Sequence, residues 1–231
     1  LFSELLAYAY RRLQSGQMTG LSGWLKQSLD MLIKHDSSRA REFAQVLTDG
    51  SDISSQLLSD ICDYLGIEMP LQVSLDIDAT LPLCDMIVAA SNSPEYIIYP
   101  RHLKPGAVVC DVARPADVSP QVFKERDDVL ILEGGLVQYP DKISFGPNLG
   151  YRDGVNLACL SETVLLALEG DYNDYSIGSH IPLETVNYLR SLGKKHGLGL
   201  AGLKMNNQEI SDREIEAIYQ RSLQLKKVNN I

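Results

Sequence analysis

The chain has 231 residues, with 21 Lys and Arg against 30 Asp and Glu, so that its formal net charge is −9. Because nucleic-acid binding draws on clustered Lys and Arg, this acidic balance argues against a DNA- or RNA-binding protein. The length suits one large or two small domains, and no apolar run approaches the roughly 20 residues of a membrane-spanning helix.

The cysteines are widely spaced and form no CxxC pair; they are Cys62, Cys84, Cys110 and Cys159. This spacing is not typical of a disulfide framework or a zinc knuckle, and it favours a reducing, cytoplasmic location. The start of the chain does not have the order of a secretory signal peptide, because two arginines follow its apolar stretch instead of preceding it. The histidines also lack metal-ligand spacing, so we expect no metal site.

Residues 1–66 are predicted to be helical, since apolar residues recur there at helical spacing and Gly66 suits a helix end. A glycine cluster at 16–23 has the form GxxxGxxG, but it follows a helical stretch, whereas a dinucleotide-binding loop follows a strand. Two interpretations stay open. Either the strand and its phosphate-binding loop are absent from this chain, or the site is degenerate.

After residue 67 the pattern changes to short apolar runs separated by loops. The runs lie at 71–75, 86–90, 107–111 and 129–132. Continuous apolar runs of this length are typical of strands buried on both faces, and hence of a parallel sheet covered by helices. The sequence therefore predicts an α/β fold with a Rossmann-like parallel sheet and flanking helices over 67–147.

The last part of the chain, 148–231, is predicted to be mainly helical. A hairpin of 136–139 with 142–145 precedes it, and helices are expected at 155–169, 182–196 and 211–227. The last of these opens with the spacing of a capping box, Ser211 followed by Glu214. The predicted architecture thus has a helical N-terminal segment, a sheet domain and a helical C-terminal region.

Ligands of open parallel sheets bind beyond the carboxyl ends of the strands, and three loops meet that condition here. Their small, hydroxyl or charged residues suit a flat cofactor near the backbone. The candidate cofactor-binding residues are Ser91, Asn92, Ser93, Asp111, Arg114, Gly134 and Gly135. The alternative is that these are ordinary turn residues, which are common after any strand.

Cys159 is a candidate nucleophile near the start of the predicted helix 155–169, where the helix dipole favours a thiolate. Glu162 lies three residues further on the same face and is a candidate for orienting or deprotonating a partner. The alternative is that Cys159 is a small core residue, as the other three cysteines are expected to be.

Four segments carry a resemblance to a known family: CDMIVAASNSP at 84–94, VVCDVARP at 108–115, VLILEGGLV at 129–137 and ACLSETVLLALEG at 158–170. They resemble the long-chain acyl-[acyl carrier protein] reductases of cyanobacteria and their bacterial relatives. The cofactor half of those enzymes is similar to the shikimate-dehydrogenase-like Rossmann proteins. The similarity runs from about 71 to 198, a little over half of the chain.

The resemblance implies an NAD(P)-dependent oxidoreductase that reduces a fatty acyl thioester to an aldehyde. The Cys159 thiolate would take the acyl group from acyl carrier protein or acyl-CoA, and NADPH would then deliver hydride to the acyl-enzyme. NADP(H) is thus the expected cofactor, and a homo-oligomer is among the expected assemblies. Two alternatives stay open: a shikimate- or amino-acid-type dehydrogenase without covalent catalysis, and a degenerate, non-catalytic Rossmann-like binding module.

Overall fold

The computed structural model describes residues 9, 11–12, 14–16, 20–49, 54–146, 150–178, 181–206 and 208–229. The chain divides into two compact units, Leu1–Leu75 and Asp76–Ile231. Residues 17–19 of the glycine cluster and most of the first predicted helix lie outside the described residues. The predicted division at 66/67 and 147/148 stays a prediction.

Unit 1 is built from helices. They are α1 (Gly20–Lys34), α2 (Ser38–Asp49) and α3 (Ser55–Leu65). Apolar residues at helical spacing on each helix form the core of this unit, with Leu25, Leu32, Phe43, Leu58 and Ile61 among its buried side chains. Gly66 ends α3 in the left-handed conformation with φ 66°, as predicted for a helix-terminating glycine.

Unit 2 mixes helices and strands. Its helices are α4 (Ile77–Thr80), α5 (Pro120–Glu125), α6 (Ala158–Glu169), α7 (Leu183–Lys195) and α8 (Asp212–Asn229). Single 3-10 turns lie at Leu81–Leu83 and Pro100–His102. The strands are β1 (Met86–Ala89), β2 (Val108–Asp111), β3 (Leu130–Glu133), β4 (Leu136–Gln138), β5 (Val155–Leu157), β6 (Gly199–Leu200), β7 (Lys204–Met205) and β8 (Gln208–Glu209).

The predicted parallel sheet is confirmed. Strands β1, β2 and β3 pair side by side in chain order, all parallel, with Ile87 opposite Val109 and Val109 opposite Ile131. These three aliphatic residues share one face and are buried together with Val122 of α5. The α/β class with flanking helices therefore follows from short, aliphatic strands that need a helical layer over their apolar face.

The predicted burial of both sheet faces is wrong for β1. Ile87 and Ala89 point into the core, but Met86 and Val88 on the other face are 69% and 66% exposed. The alternation of a β-strand places neighbouring side chains on opposite faces, and the helical layer covers only one of them.

Three local predictions also fail. Residues 71–75 and 142–145 form no strand, and β4 pairs instead with β5 and β6, both antiparallel. The expected helix at 155–169 begins only at 158, because Val155–Leu157 is used as a strand. Local patterns missed these pairings because the partners of β4 are distant in the sequence.

A buried ion pair fixes the connections around β3. Arg126 makes a bidentate contact with Asp128, at 2.7 Å for both oxygens, and also donates to the carbonyl oxygens of Pro100 and Leu103. Charges this deeply placed need such full pairing. None of the described helices combines the length and hydrophobicity that crossing a membrane would require.

Candidate functional site

The carboxylate of Asp111 organises the loop after β2. It is buried at the end of the strand, where Oδ1 accepts the N–H of Ala113 at 3.0 Å. Its Oδ2 accepts the N–H groups of Asp117 and Val118 at 2.9 and 3.0 Å. Both oxygens therefore hold the protein's own backbone, which shapes the loop that carries Arg114.

The loop after β1 is tied to the same region through Asp117, which is fully buried. Asp117 accepts hydrogen bonds from both the N–H and the hydroxyl of Ser91. The Ser91 hydroxyl oxygen in turn accepts the N–H of Ser93 at 3.1 Å, and Asn92 is exposed between them. Ser91 and Ser93 thus define the loop, and of these three residues Asn92 is the one whose side chain is turned to solvent.

Gly134 and Gly135 form the tight connection after β3. A Cβ on Gly134 would lie 2.3 Å from Val112 Cγ1 and 2.7 Å from Cys110 Sγ, so only glycine fits there. Gly135 has φ 72°, the left-handed conformation that glycine tolerates best. Arg114 lies against this connection, since its Nη2 is 3.5 Å from the Gly134 carbonyl oxygen.

A cavity of about 300 Å³, here called the sheet cavity, opens at the carboxyl ends of β2 and β3. Two predicted site residues line it, Asp111 and Arg114; the other predicted residues are not among its described lining. Charged or polar side chains that the sequence did not single out complete the lining: Tyr96, Glu133, Tyr151 and Asn206. The apolar wall consists of Ala116, Val118, Pro120, Phe123, Ile131 and Leu132.

Cys159 is the second residue of α6 and is exposed. The helix start is joined to the loop after β3, because the Ala158 N–H donates to the Gly135 carbonyl oxygen at 2.7 Å. This bond places the start of α6 beside the glycine pair, but Cys159 is not among the described residues that line the sheet cavity. Glu162 accepts a hydrogen bond from the Ser176 hydroxyl at 2.6 Å. The catalytic role of Cys159 and Glu162 stays a prediction.

His102 has structural partners on both ring nitrogens. It is buried; its Nδ1 accepts the Tyr99 N–H at 3.1 Å, so Nε2 carries the proton that it donates to Asp78 Oδ1 at 2.7 Å. This bond, with a second from Arg101, holds the pKa of Asp78 below its usual range. Across the described ranges, no group of three or more His, Cys, Asp and Glu suits a metal ion.

A second, smaller cavity of about 190 Å³ adjoins the first at Tyr151, and we call it the cationic cavity. Arg152 and Lys204 line it, together with Glu209 and two glycines. Arg152 Nη1 pairs with Glu209 Oε1 at 2.8 Å, and Lys204 Nζ lies 4.8 Å from the centre of the Tyr151 ring. This cavity has no signature in the sequence, because its residues come from separate segments without a shared motif.

Comparison with known proteins points to a class of enzyme. No protein-family model matches the chain. Aminotransferase PigE of Serratia sp. (strain ATCC 39006) is 34% identical to it over 169 residues. The similarity is to an aminotransferase. The match takes in 72% of this chain but only 19% of PigE, so the chain spans about a fifth of the length of that relative.

This relative overturns the predicted family and function. An aminotransferase is a transferase, so the similarity contradicts an NAD(P)-dependent oxidoreductase of the acyl-[acyl carrier protein] reductase family. Two predictions depended on that family and are therefore also wrong: the reduction of an acyl thioester to a fatty aldehyde, and NADP(H) as the cofactor. The two alternatives, a shikimate- or amino-acid-type dehydrogenase and a degenerate binding module, also differ from what the relative indicates.

Aminotransferases use pyridoxal phosphate, which proteins hold through a Schiff-base lysine and a partner for the pyridinium nitrogen. The described lining of the sheet cavity contains no lysine. Lys204 lies in the cationic cavity, which is smaller than the roughly 300–1,000 Å³ of most cofactor sites. The carboxylate there, Glu209, is already paired with Arg152. Neither of these two cavities therefore fits pyridoxal phosphate, and we assign no step through it to this chain.

Proposed function

We propose that this chain serves an aminotransferase-type enzyme as the part that binds an apolar amino acid, the amino-group donor, in the sheet cavity. The lining carries Arg114 and two carboxylates, and the carboxylate of Asp111 already accepts three backbone N–H groups. The observation that carries the proposal is therefore Arg114 together with Glu133, beside an apolar wall. The similarity to aminotransferase PigE supports the reaction class. The pyridoxal phosphate of such an enzyme would be held outside the sheet cavity and the cationic cavity.

Arg114 is suited to the carboxylate of the amino acid. Its guanidinium is held in place by the carbonyl oxygens of Ala113, at 2.7 Å, and Gly134, at 3.5 Å. Both acceptors are uncharged carbonyl groups, so neither contact neutralises the positive charge of Arg114. An arginine in this state binds carboxylates through paired, charge-assisted hydrogen bonds.

Glu133 is suited to the ammonium group. It is the last residue of β3 and directly precedes Gly134, whose carbonyl oxygen contacts Arg114. The two opposite charges therefore lie on neighbouring parts of the lining, as the adjacent ammonium and carboxylate of an α-amino acid require. A carboxylate accepts several hydrogen bonds at once, so Glu133 binds an ammonium without giving up its existing contacts.

The apolar wall selects the side chain of the ligand. Phe123, Ile131 and Leu132 present hydrocarbon surface to the cavity, and burial of a ligand's methyl groups there is favourable. A volume of about 300 Å³ is at the lower end of the range for small-molecule sites and suits a single amino acid. We therefore expect leucine-like amino acids to bind more tightly than glycine or aspartate.

Calorimetry with three matched ligands tests the proposal: leucine, its α-oxo acid and isoamylamine. Arg114→Gln is expected to weaken leucine and the oxo acid about tenfold or more, because each loses a charge-assisted pair, and to leave the amine unchanged. Glu133→Gln is expected to weaken leucine and the amine and to leave the oxo acid unweakened.

Matched controls are Arg190→Gln and Glu184→Gln, both exposed on α7 and outside the sheet cavity. These variants make the same changes of charge and should bind all three ligands as the natural chain does. If leucine fails to bind the natural chain, or if Arg114→Gln weakens the amine as much as the oxo acid, the proposed site is wrong.

We propose a cytoplasmic location as well. The widely spaced cysteines support it, and all four are free thiols.

Two predictions about partners stay predictions: acyl carrier protein or acyl-CoA as a partner, and a homo-oligomer. Size-exclusion chromatography with light scattering tests the last of these directly: a mass above that of one chain supports the oligomer, and 25.6 kDa contradicts it.

A further inference from the structure

Lys204 is a half-buried lysine in an acidic protein, and no carboxylate among the described residues pairs with its ammonium group. Within that part of the chain, Lys204 Nζ lies over the Tyr151 ring, 4.8 Å from the ring centre. Other lysines with ionic partners bind Asp85 and Glu169. An ammonium group carries three hydrogen-bond donors, and an aromatic ring satisfies none of them as an oxygen atom would.

Arg152 brings a second cation to the same cavity. Its Nη1 pairs with Glu209 and its Nη2 donates to Gln138 Oε1 at 3.0 Å. These contacts fix the guanidinium plane and leave other N–H donors for a ligand. Two cations and one carboxylate make up the charged part of the described lining, which therefore has an excess positive charge in a chain of net charge −9.

Glycines shape the rest of the lining. Gly150 has φ 81°, and a Cβ on Gly202 would meet nothing closer than 4.0 Å, so there is room for a ligand beside Gly202. Close approach to backbone N–H groups is the usual means of holding an oxyanion, together with cationic side chains. The volume of about 190 Å³ suits a phosphate group with a few further atoms.

We propose that the cationic cavity is a binding site for a phosphate-type oxyanion, held between Lys204 and Arg152. The ligand is either free phosphate or the phosphate group of a small monoester; both present the same tetrahedral oxyanion. This site lies beyond the proposed amino-acid site, because the two cavities are lined by different charged residues and share only Tyr151 among the described residues.

The test is a titration of the full chain with inorganic phosphate at constant ionic strength, followed by amide chemical shifts. Phosphate should shift the amide signals of Tyr151, Arg152 and Gly202. Lys204→Gln and Arg152→Gln should each weaken binding about tenfold, because each removes a charge-assisted contact. Lys34→Gln, an exposed charge-matched change in unit 1, should leave the affinity unchanged.

Glu209→Gln tests whether weaker phosphate binding in the other two variants is caused by loss of folding. It removes the carboxylate of the described lining, so phosphate should bind more tightly, which an unfolded variant would not do.

Methyl phosphate, titrated in parallel, distinguishes the two possible ligands. Equal or tighter binding indicates a monoester ligand, and weaker binding indicates free phosphate. Absence of shifts with both, equal affinity of Lys204→Gln and the natural chain, or tighter binding of acetate than of phosphate would overturn the proposal.

Discussion

Asp111 Oδ2 accepts the backbone N–H of Val118 at 3.0 Å, so the last residue of β2 fixes a loop residue seven positions further on. The same carboxylate also accepts the N–H groups of Ala113 and Asp117. The position of Arg114 on the sheet cavity therefore depends on a buried carboxylate that accepts three backbone N–H groups.

Asp111→Asn is expected to lower the free energy of unfolding by about 2–4 kcal/mol. The amide NH2 would face a backbone N–H group, and each unsatisfied buried donor costs about 1–3 kcal/mol. Urea denaturation followed by circular dichroism measures the change. Asp153→Asn, at an exposed position, should stay within about 0.5 kcal/mol of the natural chain. Equal stability of both variants would contradict this account of the loop.

Arg126→Lys is expected to destabilise the chain by about 2 kcal/mol or more. Lysine makes neither the bidentate contact with Asp128 nor the additional bonds to Pro100 and Leu103. For a chain of this size, each 1 kcal/mol lowers Tm by about 2–4 °C, so calorimetry should show a clear decrease. Arg221→Lys, in an exposed pair with Asp127, serves as the control. A similar Tm for both variants would show that the buried pair adds little.

Gly134→Ala and Gly193→Ala are expected to have opposite effects. The methyl group that Gly134→Ala adds would clash with Val112 and Cys110, and overpacking of this kind costs about 1–3 kcal/mol. Gly193 lies inside α7 with nothing within 4 Å of an added Cβ, so alanine should stabilise the helix by up to about 1 kcal/mol. Thermal unfolding of the two variants measures both signs, and destabilisation by Gly193→Ala would refute the second.

Asp171 joins the end of α6 to α7 through the hydroxyls of Tyr175, at 2.6 Å, and Tyr188, at 2.9 Å. The Tyr175 bond is the main cause that lowers the pKa of Asp171 from 3.8 to about 2. The bond to Asp171 raises the pKa of Tyr188 from 10.0 to about 12. Because the pKa of Asp171 is lower in the folded chain than in the unfolded chain, its carboxylate stabilises the fold above about pH 4. This stabilisation is lost as the pH falls toward 2. Because the pKa of Tyr188 is higher in the folded chain than in the unfolded chain, its hydroxyl stabilises the fold below pH 10. This stabilisation is lost as the pH rises toward 12.

Asp171→Asn should therefore reduce the dependence of stability on pH at both extremes. Ultraviolet titration of the tyrosines should also show the pKa of Tyr188 returning toward 10.0. Asp174→Asn, a neighbouring exposed acid, is the control. Unchanged tyrosine titration in Asp171→Asn would show that this contact does not form in solution.

Much of the sheet was predictable because local sequence determines it. The aliphatic runs around Ile87, Val109 and Ile131 are short and rich in β-branched residues, which favours buried strands over helices. Pro120 after Ser119 marks the start of α5, with the Ser119 hydroxyl capping Gln121.

Contacts between distant segments were not predictable. Val155–Leu157 has no pattern that separates it from the helix that follows, and only its pairing with β4 makes it a strand. The sheet cavity depends in the same way on Tyr151 and Asn206, which the fold brings to β3 from far along the chain. The strand-end rule needs only local information, so the sequence could indicate that Asp111 and Arg114 lie at the carboxyl end of β2. Their role in binding stays a prediction.

The central claim is that the sheet cavity binds an amino acid through both of its charges. An amide chemical-shift titration of the full chain with leucine tests it most directly. We predict shifts at Tyr96, Arg114, Leu132 and Asn206 that saturate together, and their loss in Arg114→Gln. Shifts that avoid these residues, or that persist unchanged in Arg114→Gln, would contradict the claim.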